Sequence, residues 1–264
     1  MAGRCGHKRK MELNYDFTLL LFIFMRMSGC ILFNPILGRK NLPVVLKVGL
    51  TLMLSVFSYH LVPAQTLEIP SFLVLSVSLL KELLIGYMVG YIIQLFLSVM
   101  LISGENMDMQ IGISMSKIYD PQSNVSMPLS ASFINTMFIL IFFAVNGHLT
   151  LIQIFVKLCV MVPYGSLHFE PAMYEPLINM FSLILVYAVK MSLPVLAAEL
   201  ITEIAVGLVM RAVPQIDVFV INIQLKVILG FVIIIIMAPP LASFLEKLIL
   251  LMFDNINQVF QSLL

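Results

Sequence analysis

Six long apolar stretches divide the chain, at about residues 17–37, 42–62, 69–103, 125–162, 177–213 and 218–253. A helix takes roughly 20 residues at about 1.5 Å each to cross the hydrocarbon of a bilayer. The first two stretches match one crossing apiece. The other four approach 35 residues, about 50 Å as straight helices against a hydrocarbon core of about 30 Å. They must tilt, project from the bilayer or break. Three of them carry breakers: Pro128 and Asn146-Gly147 in the fourth, Pro194 in the fifth, Pro239-Pro240 in the sixth. The pattern predicts an all-α membrane protein of helical hairpins with broken long helices, not a plain six-span bundle.

Composition supports the membrane assignment. Hydrophobic residues make up 61% and charged residues 11%, where a soluble domain carries about 25% charged residues. So few charges cannot cover a water-facing surface, which excludes a cytosolic enzyme, a nucleic-acid binder and a disordered adaptor. The formal net charge of +1 argues against electrostatic capture of a partner. Arg4, Lys8, Arg9 and Lys10 form a basic leader over residues 1–10, and Met11 is a candidate start for a single membrane domain, 11–264. Arg39, Lys40 and Lys47 make the first loop basic as well, so the positive-inside rule gives no orientation. Cys5, Cys30 and Cys159 form no C-x-x-C pair, and they read as small buried side chains.

The N-terminal segment has the outline of a signal peptide, and Met27-Ser28-Gly29-Cys30 resembles a lipoprotein cleavage box. Arg26 interrupts the apolar run, however, and Ile31, Leu32 and Phe33 are apolar where a lipoprotein carries a polar tether. A retained first membrane segment is expected.

The remaining charges lie inside apolar stretches. Arg26, Lys81, Glu82, Lys190, Glu199, Glu203 and Lys226 would each cost about 2.5–3.5 kcal/mol at a helix centre facing lipid. Glu199, Glu203, Gly207 and Arg211 recur every four residues and form one drifting helical stripe. Either neighbouring subunits enclose these groups, or internal salt bridges do, such as Glu203 with Arg211 across a kink. A proton relay through Glu199 and Glu203 is a third reading. Arg26, Lys47, Lys81, Glu82, His148, Glu199, Glu203 and Arg211 are the positions expected to be buried or used in assembly. Gly86 and Gly90 form a G-x-x-x-G, which marks a face for close helix contact.

Residues 103–124 form a long connection. Met107, Met109, Ile111, Ile113 and Met115 alternate with Asp108, Gln110, Gly112, Ser114 and Ser116. Period two predicts extended backbone, with no second strand in view to pair with it. At membrane depth such backbone needs protein around it or an aqueous cavity beside it. Methionine suits a deformable seal. A pore plug and a surface loop with chance alternation both fit.

Enzymatic signatures are weak. There is no P-loop G-x-x-x-x-G-K-[ST]. Gly112-Ile113-Ser114-Met115-Ser116 lacks the second glycine of a nucleophile elbow. Ser114 and His148 have no orienting acid at a known spacing. His60, His148 and His168 lack metal-ligand company, so neither metal nor cofactor is expected. A proton-coupled small-solute permease subunit is the alternative function, and an intramembrane hydrolase acting through Ser114 a further one.

Several motifs in order carry a resemblance. They are Arg26 with Gly29 and Pro35; Gly38 through Pro43 to Lys47; Gly104-Glu105 with Gln110-Ile111-Gly112; Asp120-Pro121; Asn146-Gly147-His148; Pro194 with Glu199; and Gly207 with Arg211, Pro214 and Gln215. Together they resemble the FliR family, the R-type subunit of the flagellar type III export gate, over nearly the whole chain from about Met11. The injectisome R/T-type proteins are similar, and Asn146-Gly147-His148-Leu149 looks more like the flagellar branch. The resemblance implies a multi-subunit helical gate in the inner membrane, within the flagellar basal body. Its implied partners are the P-type and Q-type subunits (FliP, FliQ), FlhB-like and FlhA-like proteins, membrane lipid and exported flagellar subunits, with no nucleic acid. Unfolded rod, hook and filament subunits would pass through it, driven by proton-motive force. It also implies that 104–124 is a channel plug, formed by Met107, Met109, Gln110, Ile111, Gly112, Met115, Asp120 and Pro121 with Gly104 and Glu105 at its hinge.

Overall fold

The computed structural model describes residues 3–39, 42–63, 65, 71–114, 118–120, 125–165, 174–212 and 218–262. Among the described residues seven helices follow the apolar stretches: α1 (Gly3–Leu32), α2 (Val44–Tyr59), α3 (Phe72–Ile111), α4 (Leu129–Ala144), α5 (Gly147–Met161), α6 (Tyr174–Ala212) and α7 (Val218–Ser262). Between α3 and α4 lies one short ladder, β1 (Ile118–Asp120) antiparallel to β2 (Val125–Met127). Three of the described helices are long and apolar enough to cross a membrane, or up to four if α4 and α5 together make one broken span. The apolar part of α1, Phe17–Leu32, and α2 are shorter than that. Turns at 33–38 and 60–62 follow these two helices.

The expected breaks occur in one place of three. Asn146, with φ of 57°, separates α4 from α5, and Pro128 sits just before α4 rather than inside a helix. Pro194 lies within a continuous α6, and Pro239 and Pro240 within a continuous α7. A break in so apolar a segment would leave peptide groups without water to satisfy them, so the helix persists through its proline. Pro194 and Pro240 line a common cavity of about 150 Å³ with Met191, Val195, Met237 and Leu241. The missing ladder bonds thus coincide with imperfect packing rather than with a turn.

The chain forms two units. One comprises residues 1–94, 148–177 and 253–264, and the other 95–147 and 178–252. In the first unit, α1 and α3 cross where glycines remove the side chains. A Cβ on Gly29 would lie 2.5 Å from the Leu83 carbonyl, and one on Gly90 would lie 2.7 Å from the Phe33 carbonyl. Gly86 meets the Arg26 carbonyl in the same way. The G-x-x-x-G face is therefore the face that receives α1.

This close approach sets up a buried ion pair. The Arg26 guanidinium donates to Glu82 at 2.7 Å, and to the carbonyls of Leu158 and Val162 at 2.9 and 2.7 Å. It also lies 3.9 Å over the Tyr164 ring. Glu82 accepts a second hydrogen bond, from the Gly165 N–H at 3.1 Å. The carbonyls Arg26 uses lie at and just past the end of α5, where backbone donors become scarce. Burial, with Cys159 nearby, pushes the Tyr164 phenol well above its usual pKa. Arg26 is fully buried. Cys30 and Cys159 are buried, as expected, while the Cys5 side chain lies outside the described residues.

Removing one member of this pair strands the other charge. Arg26→Met should destabilise the protein by about 3–5 kcal/mol, and adding Glu82→Leu should recover part of the loss. Thermal unfolding of the complex in detergent, comparing single with double substitution, checks the order.

Candidate functional site

The segment singled out by sequence lies in the second unit, and its first half is helical. Gly104, Glu105, Met107, Met109, Gln110 and Ile111 occupy the last turns of α3. They are not loop, and no hinge interrupts the helix at Gly104-Glu105. Ser103, Gly104, Met107, Asp108 and Ile111 are the buried positions, a spacing of three and four residues. Met109, which period two placed with Met107, is 67% exposed. Helical packing wins because Asp108, on the polar side of the alternation, finds partners inside. The β1–β2 ladder lies beyond the alternating run rather than pairing with it: Ile118 opposes Met127, Tyr119 opposes Ser126 and Asp120 opposes Val125.

Asp108 caps a helix that is not its own. α4 begins after Pro128, which offers no side-chain acceptor to the first N–H groups. The Asp108 carboxylate accepts the Ser130 N–H at 3.2 Å, and it also accepts the Ser130 hydroxyl. A carboxylate there serves as the missing N-cap, and its charge complements the positive end of the α4 dipole. Gly104 makes the approach possible, since a Cβ on it would collide with Ala131 of α4. Ile111 closes the other side of α3, packed where Gly230 of α7 has no side chain.

Gly112 ends the helix. Its φ is 89°, and the N–H groups of Gly112 and Ile113 both donate to the Asp108 carbonyl at 3.0 Å. The bond from Ile113 is that of a Schellman stop, which wants glycine at the left-handed position. A side chain added at Gly112 would meet nothing within 4 Å, whereas Gly104 has no room at all. Of the other plug candidates, Asp120 lies in β1, while Met115 and Pro121 lie outside the described residues.

The ionic positions separate into groups. Arg26 and Glu82 meet, as above. Lys47 is half-buried and donates to the Gly38 carbonyl at 2.8 Å. Lys81 and His148 are half-buried. Glu199 is fully buried, and neither of its carboxylate oxygens has a hydrogen-bond donor among the described residues. Glu203 pairs with Lys226 of α7, not with Arg211. Eight residues along an unkinked helix span about 12 Å, too far for a Glu203–Arg211 contact, and Arg211 is exposed. Sequence reading passed over Ser130 and the capping role of Asp108. The one available signal was a helix start at Pro128 with no capping side chain. Among the described residues no three His, Cys, Asp or Glu side chains group as metal ligands do.

The model of the bacterial export proteins, family 1, matches residues 17–252. The chain belongs to this family. It is 30% identical to the flagellar biosynthetic protein FliR of Bacillus subtilis (strain 168), over 83% of this chain and 86% of that one. The FliR of Escherichia coli (strain K12) is 28% identical over 93% and 94% of the two chains. The Yop proteins translocation protein T of Yersinia pestis is 27% identical over 91% and 92%. Flagellar and injectisome-type relatives thus both align along most of the chain, and the match includes the α3–α4 connection.

Val at Gly112 would be strained at positive φ by roughly 1–2 kcal/mol, whereas Asn tolerates that region. Gly112→Val should therefore fray the end of α3 and increase proteolytic nicking within 105–127, with Gly112→Asn close to the parent. Limited proteolysis of the purified complex, mapped by mass spectrometry, measures it.

Proposed function

We propose that the chain is the R-type channel subunit of a flagellar type III protein-export gate, and that the segment beyond Gly112 plugs the channel. One observation carries the plug reading: the connection that holds the β1–β2 ladder leaves two apolar helices, α3 and α4, at a base tied by the Asp108–Ser130 contact. Irregular backbone between membrane helices needs protein or an aqueous cavity around it. A channel lumen satisfies both conditions. The plug here is 113–127, shorter than the 104–124 read from sequence, because 104–111 is helix.

Assembly with other subunits has separate support. Glu203 is 42% exposed and its partner Lys226 15%, yet Leu200, Ile201, Ile204 and Leu208 around Glu203 on α6 are exposed apolar side chains. An ion pair on such a surface cannot face acyl chains without a cost of kcal/mol order. Glu199 adds a buried carboxylate without a donor among the described residues. Polar groups from neighbouring subunits answer both needs, and the P-type and Q-type gate proteins are the proposed neighbours, with FlhB-like and FlhA-like proteins beside them. Transport itself would draw on proton-motive force, as the chain carries no nucleotide-binding P-loop. The role is that of a conduit in the inner membrane within the basal body, with no chemistry on the exported chain.

Deleting 113–127 in the assembled complex should raise ion or small-molecule leakage across the membrane several-fold, with complex recovery maintained. Conductance equal to the parent in cells carrying the recovered deletion would falsify the plug role.

A further inference from the structure

Between α6 and α7 lies a cavity of about 150 Å³, and Pro194 and Pro240 contribute to its wall with Met191, Met237 and Phe244. Both prolines are exposed, so the cavity reaches the surface. Lys190 lines it too, and is itself exposed. Among the described residues Lys190 forms no ion pair; its ammonium lies 5.5 Å from the Tyr187 ring. Val186, Val189 and Leu193 near it on α6, and Ile236 on α7, are exposed apolar side chains. The surface thus combines an apolar hole, a cation and a greasy surround.

We propose that a helix of a neighbouring integral-membrane subunit docks here, seating one large apolar side chain in the cavity and presenting an Asp or Glu to Lys190. The inference rests on the reading of the chain as one subunit of a gate, and not on the plug. A dry apolar cavity of this size holds a group as large as benzene, which matches one Phe, Leu or Met side chain. Residues three or four apart share a helix face, so a single partner helix can carry both the apolar knob and the carboxylate. The cation decides between protein and lipid. Lys190 lies near the middle of the apolar segment Pro176–Val209, with about 20 Å of helix to the nearer end. A lysine does not snorkel that far, and lipid phosphates stay at the membrane surface. An acyl chain would fill the hole yet leave the ammonium unpaired in hydrocarbon, where a charge is costly. A carboxylate carried on a protein helix has no such restriction of depth. A second copy of this chain fits worse, since an isologous contact through this face brings lysine towards lysine.

The test uses the assembled complex in its native membrane. A photo-reactive benzoylphenylalanine is placed at exposed Val189 or Leu193, and cross-linked peptides are mapped by mass spectrometry. The expected product joins this chain to a peptide of another integral-membrane subunit, with Asp or Glu three or four residues from a large apolar side chain. Cross-links to lipid alone, to a second copy alone, to a partner peptide without such an acid, or to nothing overturn the proposal. Lys190→Met should lower recovery of the complex about tenfold, with the level of the chain in the membrane unchanged, because it leaves the partner's carboxylate unpaired. Lys190→Glu should lower recovery further, and changing the cross-linked acid to Lys should restore it. Parent-level recovery of Lys190→Met, as for a cation that faced lipid, overturns the docking, and so does failure of the reciprocal exchange. Glu246, two residues past Phe244 on α7, is the internal alternative. If Glu246→Gln lowers recovery as much as Lys190→Met, with no further loss in the double variant, the counter-charge is the chain's own and the proposal fails. Should the Lys190 variants not accumulate, the cross-linked peptide decides. If the parent chain comes out alone, the gate reading falls and the docking with it; if parent and Lys190→Met both come out with partners, only the docking falls.

Discussion

A charge carried on an apolar helix must meet a partner before it meets lipid, and Arg26 satisfies that demand with Glu82. The pair shapes the first unit. Glycines at 29, 86 and 90 bring the α1 and α3 backbones close enough for it to form. The carbonyls of Leu158 and Val162, at and just past the end of α5, then take the Nη1 protons, and the Tyr164 ring covers the cation. The attraction between two desolvated ions offsets only part of the cost of burying them. Geometry and the extra hydrogen bonds decide whether such a site is tolerated. Here they also join α1, α3 and the end of α5, which are far apart in sequence.

The same requirement recurs in the second unit with a different answer. Asp108 is placed against a helix N-terminus, where backbone N–H groups and the dipole take the role that a counter-ion takes for Glu82. This converts an expensive residue into a brace for the connection that follows. Glu199 and Glu203 show the demand unmet among the described residues, since one lacks a donor there and the other holds a partly exposed pair amid exposed apolar side chains. A polypeptide that seals some of its charges and leaves others at its surface is built to be completed by neighbours. That fits a family of export proteins better than a transporter working alone.

Much of the helical architecture could be read from the sequence, because long apolar runs at these lengths have few alternatives in a membrane. The stop at Asn146 was also legible, and so was the contact face at Gly86 and Gly90. Other features depended on long-range partners. Period two at 107–116 suggested a strand until Asp108 found Ser130, a residue 22 positions away. Three-residue strands are too short to announce themselves by alternation. The prolines at 194, 239 and 240 have the local signature of breaks, but the apolar surroundings penalise an open helix more than a missing hydrogen bond. Arg26 and Glu82 were each visible as misplaced charges, whereas their pairing across 56 residues was not. Glu203 likewise took Lys226 from the next helix rather than Arg211 from its own.

Purification of the tagged full chain from its native membrane tests the central claim most directly. Mild detergent and mass spectrometry would identify what comes with it, and reconstitution of the isolated chain would show whether it transports anything. The expected result is recovery in a stable complex with other integral-membrane export subunits, and no transport by the chain alone. A folded, stable monomer that moves a small solute unaided would contradict it.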